Sequence, residues 1–173
     1  LAHQQLFDLN EDGSPHTVAG VPPDYFAVNG QLWGNPQYNW TAMAEEHYAW
    51  WKRRFRKLRE QVDIIRIDHF RAFESYWSVD GKAETAINGH WIKGPGKPFF
   101  DEIERELGEM NIVAEDLGII TSEVERLRDD CGFPGMKIVH FMLEPNESGR
   151  VGFVTPENSI VYTGTHDNNT TVG

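Results

Sequence analysis

The sequence predicts an α/β fold in which parallel strands alternate with helices. Four short apolar or β-branched runs read as buried strands, at residues 62–68, 111–115, 136–143 and 159–164. Two segments with helical character, residues 98–107 and 122–130, separate these runs, and the first ends at Gly108. Strand–helix alternation of this kind is typical of parallel sheets.

The first part of the chain has a different pattern. Glycine, proline and asparagine interrupt residues 1–40 and 69–98 so often that both stretches are predicted to be long irregular loops. Between them, residues 42–61 predict one helix capped by Thr41, with acidic residues early and basic residues late, as the helix dipole favours.

Two architectures fit the alternation, a doubly wound sheet and a (β/α)₈ TIM barrel. The strand ends lack a glycine-rich phosphate fingerprint and carry charged residues, which favours the barrel, whose active sites lie at the C-terminal strand ends. A complete barrel needs about 250 residues, so the 173-residue chain is predicted to be a fragment of a longer one. It would supply the central part of the barrel, with a substrate-loop region and helix at 1–61 and βα units at 62–173.

Composition narrows the partners. Lysine and arginine number 16 against 27 acidic residues, for a formal charge of −11. This balance argues against a nucleic-acid backbone as partner and disfavours an anionic membrane, whereas neutral sugars are indifferent to the charge. Cys131 is the only cysteine, so we expect a reducing, cytoplasmic location. No apolar run approaches the ~20 residues that span a bilayer, and no cofactor is expected.

Two of the predicted strands end in acids that suit glycosidic bond cleavage. Arg66 and Asp68 share a face because strand side chains repeat with period two, and the guanidinium favours the carboxylate anion that a nucleophile requires. Glu115 follows an apolar strand, where burial and a neighbouring acid raise the pKa of a carboxyl, as a general acid needs. A retaining enzyme would hold the two carboxyls about 5–5.5 Å apart.

Asp167, after His166, is the third acid at a strand end. It would bind sugar hydroxyls and favour the positively charged transition state. Each motif alone has a plainer explanation: Arg66 and Asp68 as a structural ion pair, or Glu115-Asp116 as the cap of the next helix. The three acids at successive strand ends are more specific together than any one of them.

Aromatic residues fall in the segments rich in glycine and proline, among them Tyr25, Phe26 and Trp33. Filling of the core is one explanation. Because loops run over the surface, flat rings there also suit stacking on the apolar faces of sugars.

Six stretches carry a resemblance to a known family: 19–26 (AGVPPDYF), 30–36 (GQLWGNP), 65–71 (IRIDHFR), 91–96 (WIKGPG), 114–118 (AEDLG) and 164–168 (GTHDN). Together they resemble the amylomaltases, the 4-α-glucanotransferases of glycoside hydrolase family 77. The resemblance implies a TIM barrel, of which this chain covers roughly strands 4 to 7 and the long loop before strand 4. It also implies retaining transfer of α-1,4-glucan segments to the 4-hydroxyl of another glucan, with maltooligosaccharides as partners.

Residue roles are implied in the same way. Asp68 matches the nucleophile, Glu115 the acid/base and Asp167 the carboxylate that stabilises the transition state. A second group of residues matches substrate contacts: Arg66, His166, Trp33, Tyr25 and Phe26.

Two alternatives remain. The chain could be a glucan-binding remnant that holds substrate through its aromatic residues without chemistry. It could also be a metal-dependent hydrolase using His69, His166 and Asp167, although no tight ligand cluster such as His-x-x-x-His is present and no metal is expected.

Overall fold

The computed structural model describes residues 3–25, 27–142, 155–167 and 169–170. They divide into two compact units. The first contains residues 1–61 and 71–109, and the second contains residues 62–70 and 110–173. Within the described ranges, no helix is both long enough and apolar enough to cross a membrane.

The first unit contains a four-stranded antiparallel sheet where loops were predicted. Its strands are β1 (Thr17–Val21), β2 (Gln31–Pro36), β4 (Ser75–Asp80) and β5 (His90–Lys93), in the order β2-β1-β4-β5. The prediction of irregular structure over 1–40 and 69–98 is therefore wrong. For β2 the error comes from Gly34 and Pro36, which read as loop signals. Both residue types are tolerated in edge strands, and β2 is an edge strand.

The predicted helix of this unit is divided in two. The single helix predicted for residues 42–61 is two helices, α1 (Trp40–Glu45) and α2 (Ala49–Arg59). Asn39, not Thr41, caps α1, since its side chain accepts the Ala42 N–H at 3.0 Å.

The chain turns between these helices through left-handed backbone at His47 and Tyr48, and the Tyr48 ring packs edge-on against Phe99, 5.0 Å between centroids. Phe99 belongs to α3 (Lys97–Leu107), which ends at Gly108 with φ 73° and confirms that prediction.

The second unit holds the predicted parallel pairings. Strand β3 (Ile65–Ile67) pairs in parallel with β6 (Ile112–Ala114), and β7 (Gly135–Ile138) pairs in parallel with β8 (Ser159–Tyr162). Helix α4 (Ser122–Asp130) lies between β6 and β7 in sequence, as predicted.

A shared core joins β6, β7 and β8. Val113, Met136 and Ile138 are buried together, and Ile160 and Tyr162 pack against them. The strand predicted over 136–143 is wrong beyond Ile138, because Val139–Met142 form a short helix, α5, and residue 143 lies outside the described residues. The chain therefore has a mixed α/β fold with two parallel strand pairs in this unit.

Candidate active site

Strand register brings two of the predicted acids to one edge of a sheet. Ile67 of β3 faces Ala114 of β6 in a parallel pair, so Asp68 and Glu115 are the next residue of each strand. The backbone continues this alignment, since the Glu115 N–H donates to the Ile67 carbonyl at 2.9 Å. Side chains that follow neighbouring parallel strands emerge at the same carboxyl edge.

Backbone amides hold the Glu115 carboxylate. The His69 N–H donates to Oε2 at 2.7 Å, and the Leu117 N–H donates to Oε1 at 2.9 Å. His69 has a left-handed backbone with φ 48°, unusual for a residue other than glycine, and this turn aims its N–H at the carboxylate. Both carboxylate oxygens are therefore fixed without any side-chain partner among these contacts.

Burial dominates the electrostatics of Glu115. It raises the pKa of the carboxyl, and the nearby Asp68 charge raises it further, while the two backbone hydrogen bonds and Arg66 act in the opposite direction. The net pKa lies above the ordinary value of 4.5. A raised pKa is the direction that a general acid needs, and the acid/base role of Glu115 stays a prediction.

Asp68 is exposed and paired. Its Oδ1 lies 2.7 Å from Arg66 Nη1, and its side chain is 75% exposed. The same guanidinium makes a second contact, in which Arg66 Nε donates to the sulfur of Met136 at 3.4 Å. An exposed, guanidinium-paired carboxylate therefore lies beside a partly buried carboxyl whose pKa is raised, so the two acids at this edge have opposite surroundings.

The predicted third acid lies after β8. Asp167 is exposed, and its contacts in the described part of the chain are local: its N–H donates to Thr165 Oγ1 at 3.2 Å, and His166 Nε2 lies 3.4 Å from its Oδ1. It follows the carboxyl end of a parallel strand, as Asp68 and Glu115 do. Its convergence with those two acids stays a prediction.

The predicted aromatic contacts belong to the first unit. Trp33 lies on β2, 44% exposed, and its indole N–H donates to Gln31 Oε1 at 3.1 Å. Tyr25 is almost fully exposed. Phe26 lies outside the described residues.

Asp116 has a place that the sequence did not indicate. The alternative in which Glu115-Asp116 caps the next helix is wrong, since Thr121 occupies the N-cap position of α4. Asp116 is instead buried, accepting the Met136 N–H at 2.7 Å and pairing with Arg128. Its partners are 12 and 20 residues away, so no local sequence pattern indicated this role.

No group of three or more histidine, cysteine or acidic side chains that could hold a metal ion occurs among the residues that the structure describes. His69 contributes its backbone N–H to the Glu115 carboxylate, and His166 lies beside Asp167.

Parallel strand pairs, with a helix between them in sequence, place the chain in the α/β class, in which active sites commonly lie at the carboxyl ends of strands. Comparison with known proteins makes the assignment specific. The family model of glycoside hydrolase family 77, described as 4-alpha-glucanotransferase, matches residues 1–173, and the chain belongs to this family.

Curated relatives agree along the whole chain. The 4-alpha-glucanotransferase of Streptococcus pneumoniae is 51% identical over 173 residues, covering 99% of this chain and 34% of the relative. That of Synechocystis is 52% identical over 176 residues, covering 99% of this chain and 35% of the relative. This chain thus spans about a third of the length of the curated relatives it matches.

Solved structures share the fold. The amylomaltase of Streptococcus agalactiae, solved in complex with acarbose, superposes with a TM-score of 0.90 at 42% identity, covering 96% of this chain and 34% of that chain. The amylomaltase of Corynebacterium glutamicum has a TM-score of 0.77 at 22% identity, covering 91% of this chain and 23% of that chain, and shows likeness of fold alone.

Proposed function

We propose that the protein to which this chain belongs is a 4-α-glucanotransferase, which transfers α-1,4-glucan segments to the 4-hydroxyl of an acceptor glucan or glucose with retention. One observation carries the proposal: the β3–β6 register that makes Asp68 and Glu115 neighbours with opposite surroundings. Family membership supports it.

In the first step, Asp68 attacks the anomeric carbon while Glu115 gives its proton to the glycosidic oxygen. The bond between that carbon and oxygen breaks, and the leaving glucan departs with a new hydroxyl. A covalent glycosyl–Asp68 ester remains. The raised pKa of Glu115, caused first by burial, suits the donor role.

In the second step, Glu115 accepts the proton of the acceptor's 4-hydroxyl. That oxygen attacks the anomeric carbon, and the ester bond to Asp68 breaks, which returns Asp68 as a carboxylate. Two inversions leave the anomeric configuration unchanged. The backbone amides of His69 and Leu117 keep Glu115 in place through both proton transfers.

The remaining residues take supporting roles in this proposal. Arg66 orients Asp68 through the 2.7 Å contact, Asp167 stabilises the oxocarbenium-like transition state, and His166 hydrogen-bonds the transferred sugar. Trp33, Tyr25 and Phe26 contact glucan rings. The partners are α-1,4-glucans and maltooligosaccharides, in line with the acarbose bound to the relative from Streptococcus agalactiae.

The proposal extends to architecture and location. The two parallel strand pairs and the intervening helix are consistent with part of a TIM barrel covering strands 4 to 7, the architecture expected for this family. The single cysteine supports a cytoplasmic location.

Asp68→Asn in the full-length gene product tests the proposal, with Asp63→Asn as a matched control. Asp63 is an exposed aspartate just before β3, whereas Asp68 follows its end. With maltotriose as sole substrate, the unchanged protein and the control should release glucose and form longer oligomers, and NMR should show the α configuration retained. Asp68→Asn should abolish turnover yet still bind maltooligosaccharide.

Two outcomes would overturn parts of the proposal. Activity that survives Asp68→Asn would remove Asp68 from the nucleophile role. Binding of maltooligosaccharide without turnover by the unchanged protein would instead favour the non-catalytic glucan-binding remnant.

A further inference from the structure

Arg66 is held at two points, and the second of these is the less expected. The Nη1 atom contacts Asp68, and the Nε atom, on the inner edge of the guanidinium, donates to Met136 Sδ at 3.4 Å. A guanidinium is planar and its donors have a fixed fork geometry. Fixing two of its nitrogens therefore fixes the direction in which it presents the others.

Met136 is in turn immobilised. Its side chain is 1% exposed and packs with Val113 and Ile138 in the core of the second unit. Its backbone N–H donates to Asp116 Oδ1 at 2.7 Å. The sulfur is a weak acceptor, so what it adds for Arg66 is a defined position more than a strong bond.

Asp116 anchors this arrangement. Its other carboxylate oxygen, Oδ2, pairs with Arg128 of α4, and the Asp116 side chain is only 2% exposed. The pair lies directly against Gly135, where an added Cβ would come within 2.5 Å of Asp116 Oδ2. A glycine at this position therefore leaves the room that the buried ion pair occupies.

We infer that Asp116 and Met136 are positioning residues for the proposed nucleophile: Asp116 fixes the Met136 backbone, Met136 orients Arg66, and Arg66 orients Asp68. The plainer explanation is a buried ion pair beside a core methionine. That explanation does not account for the Met136 sulfur, which accepts a hydrogen bond from the guanidinium that pairs with Asp68. The inference rests on the proposed function, because it assigns these residues to the same reaction.

Met136→Leu in the full-length gene product is the first test, since leucine keeps the apolar volume and removes the acceptor. We expect kcat for maltotriose disproportionation to fall about fivefold, as for loss of a hydrogen bond, with KM changed less than about twofold. Met43→Leu, another fully buried methionine exchange, is the matched control and should leave kcat unchanged.

A double-variant comparison separates orientation from packing. If Met136 acts through Arg66, Met136→Leu should lower kcat no further in an Arg66→Lys background, because lysine has no Nε–H of that geometry. If Met136 only fills the core, its effect on kcat will be the same in both backgrounds, and the inference will be wrong.

Asp116→Asn tests the anchor against Asp129→Asn. Both aspartates pair with Arg128, but Asp129 is largely exposed and is not bonded to Met136. We expect Asp116→Asn to lower kcat severalfold and the melting temperature by several degrees. The Asp129 variant should change both only slightly.

A measurement that needs no turnover keeps the inference independent. In an NMR spectrum of arginine side chains, the Arg66 Nε–H should exchange slowly with solvent in the unchanged protein and faster in Met136→Leu, while the Asp129 variant stays unchanged. Unaltered Arg66 exchange in Met136→Leu would overturn the inference. If the exchange changes in Met136→Leu but the unchanged protein transfers no glucan, the contact between Met136 and Arg66 is supported and the proposed function is wrong.

Discussion

Two glutamates of this chain, Glu102 and Glu115, meet opposite surroundings. Glu102, on α3, accepts hydrogen bonds from Arg105 and Lys52, and these lower its pKa to about 2. Glu115, after β6, has only backbone amides as hydrogen-bond donors among the described contacts, and burial raises its pKa. The same side chain is thus committed to the anion in one place and able to carry a proton in the other.

The difference lies in what offsets the loss of water. At Glu102 two cations replace the solvent, so the charged form is favoured. At Glu115 neutral N–H groups fix the position of both oxygens but do not compensate fully for burial, and the Asp68 charge adds repulsion. Pairing with cations makes Glu102 a structural ion-pair partner. Hydrogen bonds from backbone amides, together with burial, give Glu115 a fixed position and a raised pKa.

The largest expected effect is on catalysis. Glu115→Gln should lower kcat for maltotriose disproportionation roughly 100- to 10,000-fold, the range for removing a general acid/base. Glu102→Gln is the matched change at the other glutamate and should leave kcat within about twofold. Steady-state kinetics on both variants checks this. Comparable losses in the two would break the comparison, since Glu115 would then have no special role.

A second prediction concerns stability. Lys52 is buried, and it joins α2 to α3 through Glu102 at 2.7 Å and Glu106 at 2.8 Å. Lys52→Ala should lower the free energy of unfolding by about 1.5 kcal/mol, the scale of a charged hydrogen bond. Urea denaturation measures this.

Lys57→Ala is the control for that experiment. Lys57 is exposed and pairs with Glu60, the residue that directly follows α2. Its loss should change the unfolding free energy by less than about 0.5 kcal/mol. If both lysine variants change the unfolding free energy equally, burial adds nothing to the stabilisation by the ion pairs between α2 and α3.

The pH dependence of stability gives a third prediction. Because the folded pKa of Glu102 is below the ordinary 4.5, its paired anion stabilises the fold fully above pH 4.5. That contribution is lost as the pH falls from 4.5 towards about 2. Between pH 5 and pH 2, the melting temperature should therefore fall less steeply for Glu102→Gln than for the unchanged protein. Parallel curves would contradict the lowered pKa.

Much of the second unit could be predicted from the sequence. Apolar and β-branched residues marked β3, β6 and the start of β7, because the buried side chains of these strands leave a hydrophobic signal in the sequence. The acids directly after β3 and β6 could be predicted to share an edge, because neighbouring parallel strands end at the same edge of a sheet. The relation of Asp116 to Met136 could not be predicted, because it depends on a contact across 20 residues with no periodic trace.

The first unit was predicted less well. Its sheet is antiparallel with β2 and β5 at the edges, and the edge strand β2 contains Gly34 and Pro36, which read as loop signals. The break at His47 and Tyr48 has no glycine or proline to announce it. There the packing of Tyr48 on Phe99 outweighs the helical preference of the segment.

The smallest expected effect, and the most direct on Glu115, is a shift in its titration. The Asp68 carboxylate raises the pKa of Glu115, though less than burial does. Asp68→Asn removes that negative charge, so the pKa of Glu115 should fall. A ¹³C NMR titration of the Glu115 carboxyl in both proteins measures this, with Asp63→Asn as the control. A pKa that does not fall in Asp68→Asn would mean that the two charges do not sense each other, and the paired-carboxylate mechanism would lose its electrostatic basis.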